Sequence, residues 1–274
     1  MGKLLGAICM PHVMFPPDGV EEAAERVFAG MMEIRRIVER LNPTLIVMAA
    51  GDHFNNFDLA VQIPIGVVVA DEMTSLADAG LPSQVFPGHR EFAEGFVRFA
   101  SKHDFEIVQI EEVRPDHGIA FPKTVVDPAG HIPIVPVYLN AVIPVPPSPA
   151  RCHRLGQVLK GYVEDCRPAD EKVLVIGTGG LSHWLRVPGE GRIAEDFDSH
   201  VIAALIDGDS ARIAALPSEE IIAASGNGGL EIISWLFAAA AAEGGFGRKV
   251  FYEPIPAWVT GMGAIELLHL SDPD

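Results

Sequence analysis

The sequence predicts an α/β fold: a central, mostly parallel sheet flanked by helices, in a single three-layer domain covering residues 1–274. Three observations carry that prediction. The first fifty residues read strand, helix, strand, which is a βαβ unit. The second strand of that unit is a continuous apolar run rather than an alternating one, as in parallel strands buried on both faces. The strand–helix rhythm then continues past a proline-rich stretch in the middle of the chain.

Leu4–Met10 is a short apolar strand that stops at Pro11-His12. Val20 to Leu41 follows with Val27, Met31, Ile34 and Val38 on one stripe and Glu25, Arg36 and Glu39 facing away, the spacing of an amphipathic helix. Asn42-Pro43 ends it, because a residue before proline is pushed out of the helical region. Thr44–Ala50 is the second strand and runs into Gly51-Asp52-His53. Ile63–Ala70 reads as a strand, the stretch with Gly80, Pro82, Pro87 and Gly88 as loop, Glu91–Lys102 as helix and Phe105–Ile110 as strand. Ile132–Leu139 is a strand whose Pro133 and Pro136 place it near an edge or a bulge.

The run from Pro144 to Pro149 is read as an ordered crossover, since a helix from about Arg151 to Glu164 and a strand at Lys172–Ile176 follow it. Helices are expected near Glu195–Ile206, Asp209–Leu216 and Leu230–Glu243, and strand-like segments at Val250–Ile255 and Ile265–Leu270. The chain has no internal repeat.

Hydrophobic residues make up 49% of the chain and charged residues 21%, which excludes a disordered protein, a coiled coil and a collagen-like fibre. Twenty Lys and Arg stand against 37 Asp and Glu, a formal charge of -17. Such a chain repels a phosphate backbone and an anionic membrane surface, so neither nucleic acid nor membrane is an expected partner. Cys9, Cys152 and Cys166 form neither a disulfide framework nor a zinc motif, which fits a reducing cytoplasm. Leu4–Met10 is too short, and too broken by Gly6, for a signal peptide. Gly6 also stands where a myristoylation signal carries Ser or Thr. No apolar run approaches the roughly 20 residues that span a bilayer, so a cytoplasmic protein is expected.

Four of the ten histidines share one context: His12, His53, His117 and His183 each follow the end of an expected strand. In open α/β sheets the carboxyl ends of the strands line the ligand crevice. A single histidine in such a loop is ordinary, but four delivered to one edge point to a shared site. Neutral imidazoles suit a divalent transition metal, and two of them with a carboxylate make the facial triad of non-haem iron(II). Glu231, at a helix start after Gly226-Asn227-Gly228-Gly229, is the best carboxylate candidate; a first-turn Glu that complements the helix dipole is the plain alternative. Asp52 and Asp116 are rivals. Gly177-Thr178-Gly179-Gly180 lacks a Walker lysine and GxGxxG spacing, so it is read as a turn that aims Ser182 and His183 rather than as a phosphate cradle. Ser182 has no nucleophile-elbow pattern around it.

These pieces, in this order, are the motifs of a known family. Pro11-His12, Asp52-His53, Asp116-His117-Gly118, the run Gly177 to His183, and Leu230-Glu231 span almost the whole chain. The sequence thereby resembles the class III extradiol ring-cleavage dioxygenases, the family of the protocatechuate 4,5-dioxygenase β subunit and of 2,3-dihydroxyphenylpropionate 1,2-dioxygenase. Pro254-Ile255-Pro256-Ala257-Trp258 is similar to the single-subunit members.

The resemblance implies that His12, His53 and Glu231 ligate Fe(II), that His183 is the catalytic acid/base, and that His117 assists proton transfer. It implies a catecholic substrate opened by O2 next to its two hydroxyls, in aromatic-compound breakdown. It also implies a homo-oligomer and, in some members, a small subunit that lids the site. The segment after His183 is shorter than in the dihydroxyphenylpropionate enzymes, which bears on the substrate side chain. Asp52 is expected to orient His53, and Trp184, Trp258 and Phe54 to wall the pocket. The residue types leave two rivals: a zinc hydrolase, since His, His and Glu also suit catalytic zinc, and a non-catalytic binding subunit.

Overall fold

Eight strands form one mixed sheet in the computed structural model, which describes residues 1–269. The elements in chain order are β1 (Lys3–Met10), α1 (Glu21–Leu41), β2 (Leu45–Ala50), β3 (Ile65–Val68), β4 (Glu72–Thr74), β5 (Val85–Pro87), α2 (Arg90–Ser101) and β6 (Val108–Ile110). They continue with α3 (His117–Val126), β7 (Ile134–Leu139), α4 (Pro149–Cys166), β8 (Lys172–Thr178), α5 (Glu195–Ile206), α6 (Ser210–Ala214), α7 (Ser218–Ser225), α8 (Ile232–Ala241), β9 (Phe246–Ile255) and β10 (Thr260–Leu268). The sheet order is β6-β3-β7-β2-β8-β1-β10-β9, and β4 pairs only with β5. The expected final strand reached Leu270, which lies outside the described residues.

The four central strands β7, β2, β8 and β1 run parallel. Both flanks bring in antiparallel pairs, β3 on β7 and the β10–β9 hairpin on β1, so the sheet is mixed, with four of its seven strand pairings parallel. Alternate residues of the central strands face two helical layers. Cys9, Val47 and Val175 join α2, α4 and α8 on one side, and Ile8, Met48 and Ile176 join α1 and α3 on the other. Helix α8, IISWLFAAAA, is apolar on every side because it is buried on every side. Among the described residues no helix is long and apolar enough to cross a membrane.

Strand β7 corrects the sequence reading: it is an interior strand, buried along its whole length. Ile46 donates its N–H to Pro133 O, so by alternation Pro136 turns its nitrogen toward β3 instead. The β3 ladder ends one residue earlier, at Val67–Val137, so the donor that Pro136 lacks is not needed.

Helix α3 was not foreseen, because Gly118 and Pro122 both argue against helix. Pro122 cannot bond the carbonyl of Gly118, and the Thr178 hydroxyl from β8 donates to that carbonyl instead, at 2.7 Å. A tertiary contact thus supplies the bond that the local sequence withholds. The proline stretch leads into α4, with Ser148 as its cap and Pro149 as its first residue.

Candidate metal centre and cavity

Because β1, β2 and β8 are parallel neighbours, their carboxyl ends deliver His12, His53 and the Gly179–His183 loop to one edge of the sheet. His117 joins them as the first residue of α3, and Glu231 closes the short 3-10 turn that leads into α8. All five line one cavity of about 210 Å³. The remaining wall includes Phe15 and Leu185, which closely follow His12 and His183, and Trp258 and Met262 from the β9–β10 hairpin.

Glu231 is the hub. Its Oε2 lies 3.7 Å from His12 Nε2 and 3.9 Å from His183 Nε2, and its Oε1 lies 3.6 Å from His53 Nε2. None of these is a hydrogen bond; the carboxylate accepts only from the Gly180 N–H, at 2.8 Å. The rings crowd together: His53 stacks on His117 with centroids 4.2 Å apart, and His12 stands edge-on to both. Ring nitrogens of His12, His53 and His117 all lie within 4.8 Å of one another. His12 Nδ1 is buried without a hydrogen-bond partner.

This donor set fits a divalent cation. With metal–ligand bonds of about 2.0–2.2 Å, two donors of one ion lie at most about 4.4 Å apart, and the Glu231 distances to His12 and His53 fall inside that span.

The surroundings fix the tautomers. Asp116 accepts from His53 Nδ1 and from the His53 backbone N–H, both at 3.0 Å, and from the amide of Asn55 at 2.9 Å. Burial would raise the Asp116 carboxyl, but His53 and these donors outweigh it and hold it below the usual carboxylate range. As Asp116 stays ionised and can only accept, the His53 ring directs Nε2 at Glu231. His183 Nδ1 donates to the carbonyl of Leu181 at 3.0 Å, which leaves its Nε2 lone pair facing the cavity. His117 Nδ1 donates to Asp78 at 2.5 Å.

The two imidazoles nearest Glu231 are pushed in opposite directions. Burial drives His12 down to about 3, a neutral ring. Burial lowers His53 as well, but the carboxylates of Asp116 and Glu231 outweigh it and raise it to about 10. Burial also penalises the Glu231 anion, and its imidazole neighbours, His12 first, still hold its carboxyl below the usual range.

Two glycines make room for this geometry. Gly179 has φ +142, and a Cβ there would lie 2.9 Å from Glu231 Cβ. A Cβ on Gly228 would fall 1.9 Å from His183 Nε2. The glycine-rich loop after β8 therefore packs against a carboxylate and turns the chain into His183, as the missing phosphate motif implied. Ser182 hydrogen-bonds Asp198 through both its N–H and its hydroxyl, each at 2.8 Å, and Tyr252 bonds the same carboxylate. It is a buried anchor of the loop.

Three sequence expectations are corrected. Asp52 does not touch the His53 ring: it accepts the backbone N–H groups of Asn55, Asn56 and Phe57 and so folds its own loop. Phe54 is 46% exposed and off the cavity wall. Trp184 is buried behind the site, under the Arg192 guanidinium, and only Trp258 of the three reaches the wall. Asp78 was missed altogether. It sits between Ala77 (φ 65) and Ala79 (φ 50), two non-glycine residues in the left-handed region, so strained backbone presents it to His117.

An α/β sheet with imidazoles and a carboxylate gathered at its strand ends offers a set of donors that could hold a divalent metal ion. The comparisons agree. A family model described as the catalytic LigB subunit of aromatic ring-opening dioxygenase matches residues 6–263, and the chain belongs to this extradiol ring-cleaving family. A 2,3-dihydroxyphenylpropionate/2,3-dihydroxicinnamic acid 1,2-dioxygenase from Xanthobacter autotrophicus is 27% identical, over 94% of this chain and 96% of the relative. The enzyme of the same name from Escherichia coli K12 is 26% identical over 90% and 93%. A crystal structure of an uncharacterized Escherichia coli K12 protein aligns with TM-score 0.63 at 17% identity, covering 96% of this chain and 99% of that one, which is a likeness of fold.

Proposed function

We propose that the chain, as one catalytic domain over residues 1–274, opens the ring of a substituted catechol with O2 between a hydroxyl-bearing carbon and its neighbour outside the diol. The convergence of Glu231 and four imidazoles in an otherwise apolar cavity carries this reading. His12, His53 and Glu231 would hold Fe(II). When bound, ferrous iron supplies open coordination positions and the redox capacity to join a catechol with O2.

The chain's own residues do the rest. Nε2 of His183, with its Nδ1 proton tied to Leu181 O, takes a proton from a substrate hydroxyl and returns it later. His117, held by Asp78, serves as the second proton-transfer group on the same cavity wall. Asp116 fixes the His53 ring, as carboxylates behind metal-bound imidazoles do. The apolar wall keeps bulk water off the reacting atoms. The three free cysteines support a reducing, cytoplasmic setting. Association into a homo-oligomer, with or without a small lid subunit, is part of the same reading.

Oxygen uptake tests it, with protein purified anaerobically, loaded with ferrous iron and offered catechol, protocatechuate, gallate and 2,3-dihydroxyphenylpropionate. Uptake matched one to one by a yellow ring-opened product is expected. Tightly bound zinc and no uptake with any catechol would overturn the reading in favour of a hydrolase.

A further inference from the structure

The cavity wall away from Glu231 and the histidines is made mainly by Val13, Phe15, Leu185, Trp258, Val259 and Met262, with Thr260 as its polar side chain, and among the described residues no Lys or Arg lines the cavity. A substituent on the ring has to lie against this wall once the two hydroxyls face the polar end. Phe15 and Leu185 stand at the open side, 44% and 43% exposed, so a carboxylate there would give up part of its hydration with no cation on the wall to replace it, which is disfavoured. The chain's formal charge of -17 adds repulsion.

The nearest basic side chains in sequence do not remedy this. Arg186 follows Leu185 but is exposed and does not line the cavity, and an exposed ion pair contributes little. Arg192 lies over the Trp184 ring at 4.9 Å, behind the site. Size narrows the choice further. At about 210 Å³ the cavity is smaller than the roughly 300 Å³ at which pockets for drug-sized ligands begin, so its enclosed part takes a single ring.

We infer that the substrate is a single-ring catechol whose substituent is uncharged and apolar, an inference that rests on the ring-opening reading of the site. The chain departs here from the relatives whose names specify carboxylate-bearing substrates.

Matched probes on the full-length, Fe(II)-loaded protein test the inference: 2,3-dihydroxyphenylpropionate against its methyl ester, and protocatechuate against 4-methylcatechol. The uncharged member of each pair should have the higher kcat/KM for oxygen uptake by about tenfold or more. Calorimetric Kd values on the same protein kept anaerobic need no turnover and should rank each pair the same way.

An acid that matches or exceeds its neutral partner in either measurement overturns the inference, and leaves ring opening standing if oxygen is consumed. A neutral probe that binds in preference, with no oxygen consumed, upholds the inference and overturns the ring-opening reading. Failure of every probe to bind overturns both. Leu185→Arg places a cation at the wall and should move the acid-to-ester ratio of Kd toward the acid by about tenfold. An unchanged ratio would show that this wall does not read the substituent.

Discussion

Two buried charge networks sit at opposite ends of the same sheet, and they are built differently. At the amino ends of the strands, Arg167 donates to both oxygens of Glu171, at 2.7 and 3.1 Å, and to Glu91 and the Tyr162 hydroxyl, while its guanidinium lies over the Phe92 ring. At the carboxyl ends, Glu231 stands 3.6 to 3.9 Å from three imidazoles and bonds only a backbone N–H. The first network closes on itself, because a buried ion pair is tolerable only when its lone pairs and protons are used up. The second keeps its donors apart around a common point, which is the arrangement that a shared cation satisfies.

Glu231→Ala should produce the largest effect, since it removes the hub of the open network. Bound iron should fall to near zero by metal analysis and ring opening by more than the acid/base variant below, with the thermal transition retained. Full iron occupancy in the purified variant would defeat the ligand assignment. His183→Ala should keep iron and bind catechol, with kcat lower by about 10²–10⁴-fold. Wild-type turnover there would remove its acid/base role.

The closed network answers in stability instead. Arg167→Leu leaves Glu171 buried with only His89 beside it, 3.4 Å away, and should cost about 3 kcal/mol in denaturant unfolding, roughly a hundredfold in the folding equilibrium, with iron content unchanged. Burial raises the Glu171 carboxyl, but His89 and Arg167 outweigh it and hold it below its ordinary value of 4.5. A carboxyl with a depressed folded pKa stabilises above its unfolded pKa and loses that contribution as pH falls through the folded value. Wild-type stability should therefore drop on acidification below about pH 4.5, more steeply than in the variant. Parallel acid curves would contradict the pairing.

Asp116→Asn keeps the shape but weakens the acceptor behind His53, and iron affinity should fall by about 10–100-fold. An unaltered Kd for iron would mean that the ring needs no such support. Asp78→Ala should give the smallest change: iron affinity preserved and kcat reduced by about tenfold or less, with Asp78→Glu restoring part of it. An effect on iron rather than on kcat would move Asp78 into the metal-binding group.

The site histidines were legible because each follows a strand end, and their number made coincidence a poor account. The carboxylates behind them were less so. Asp52 and Asp116 both directly precede a site histidine, yet Asp116 serves the ring of His53, 63 residues away, while Asp52 folds the loop next to it. Adjacent residues share a backbone but point apart, so neighbourhood in sequence is a poor guide to partnership between side chains. Asp78 had no signal at all, since it lies in a polar loop and reaches His117 only through a strained turn between β4 and β5.

What the sequence determined by itself was burial and order: the apolar runs of the central strands, the stripe of α1, the alanine-rich α8, and a procession of strand-end histidines ending in Glu231. These are local records, because hydrophobic periodicity reports which face of an element meets the core. Only the tertiary structure decided the rest. It set β7 inside the sheet despite its prolines, completed α3 with a hydroxyl from β8, and chose Asp116 over Asp52. It also drew the cavity wall from Phe15, Leu185 and Trp258, residues that the chain keeps far apart. Hydrogen-bond partnership and cavity shape depend on where whole elements come to rest, and no local pattern encodes that placement.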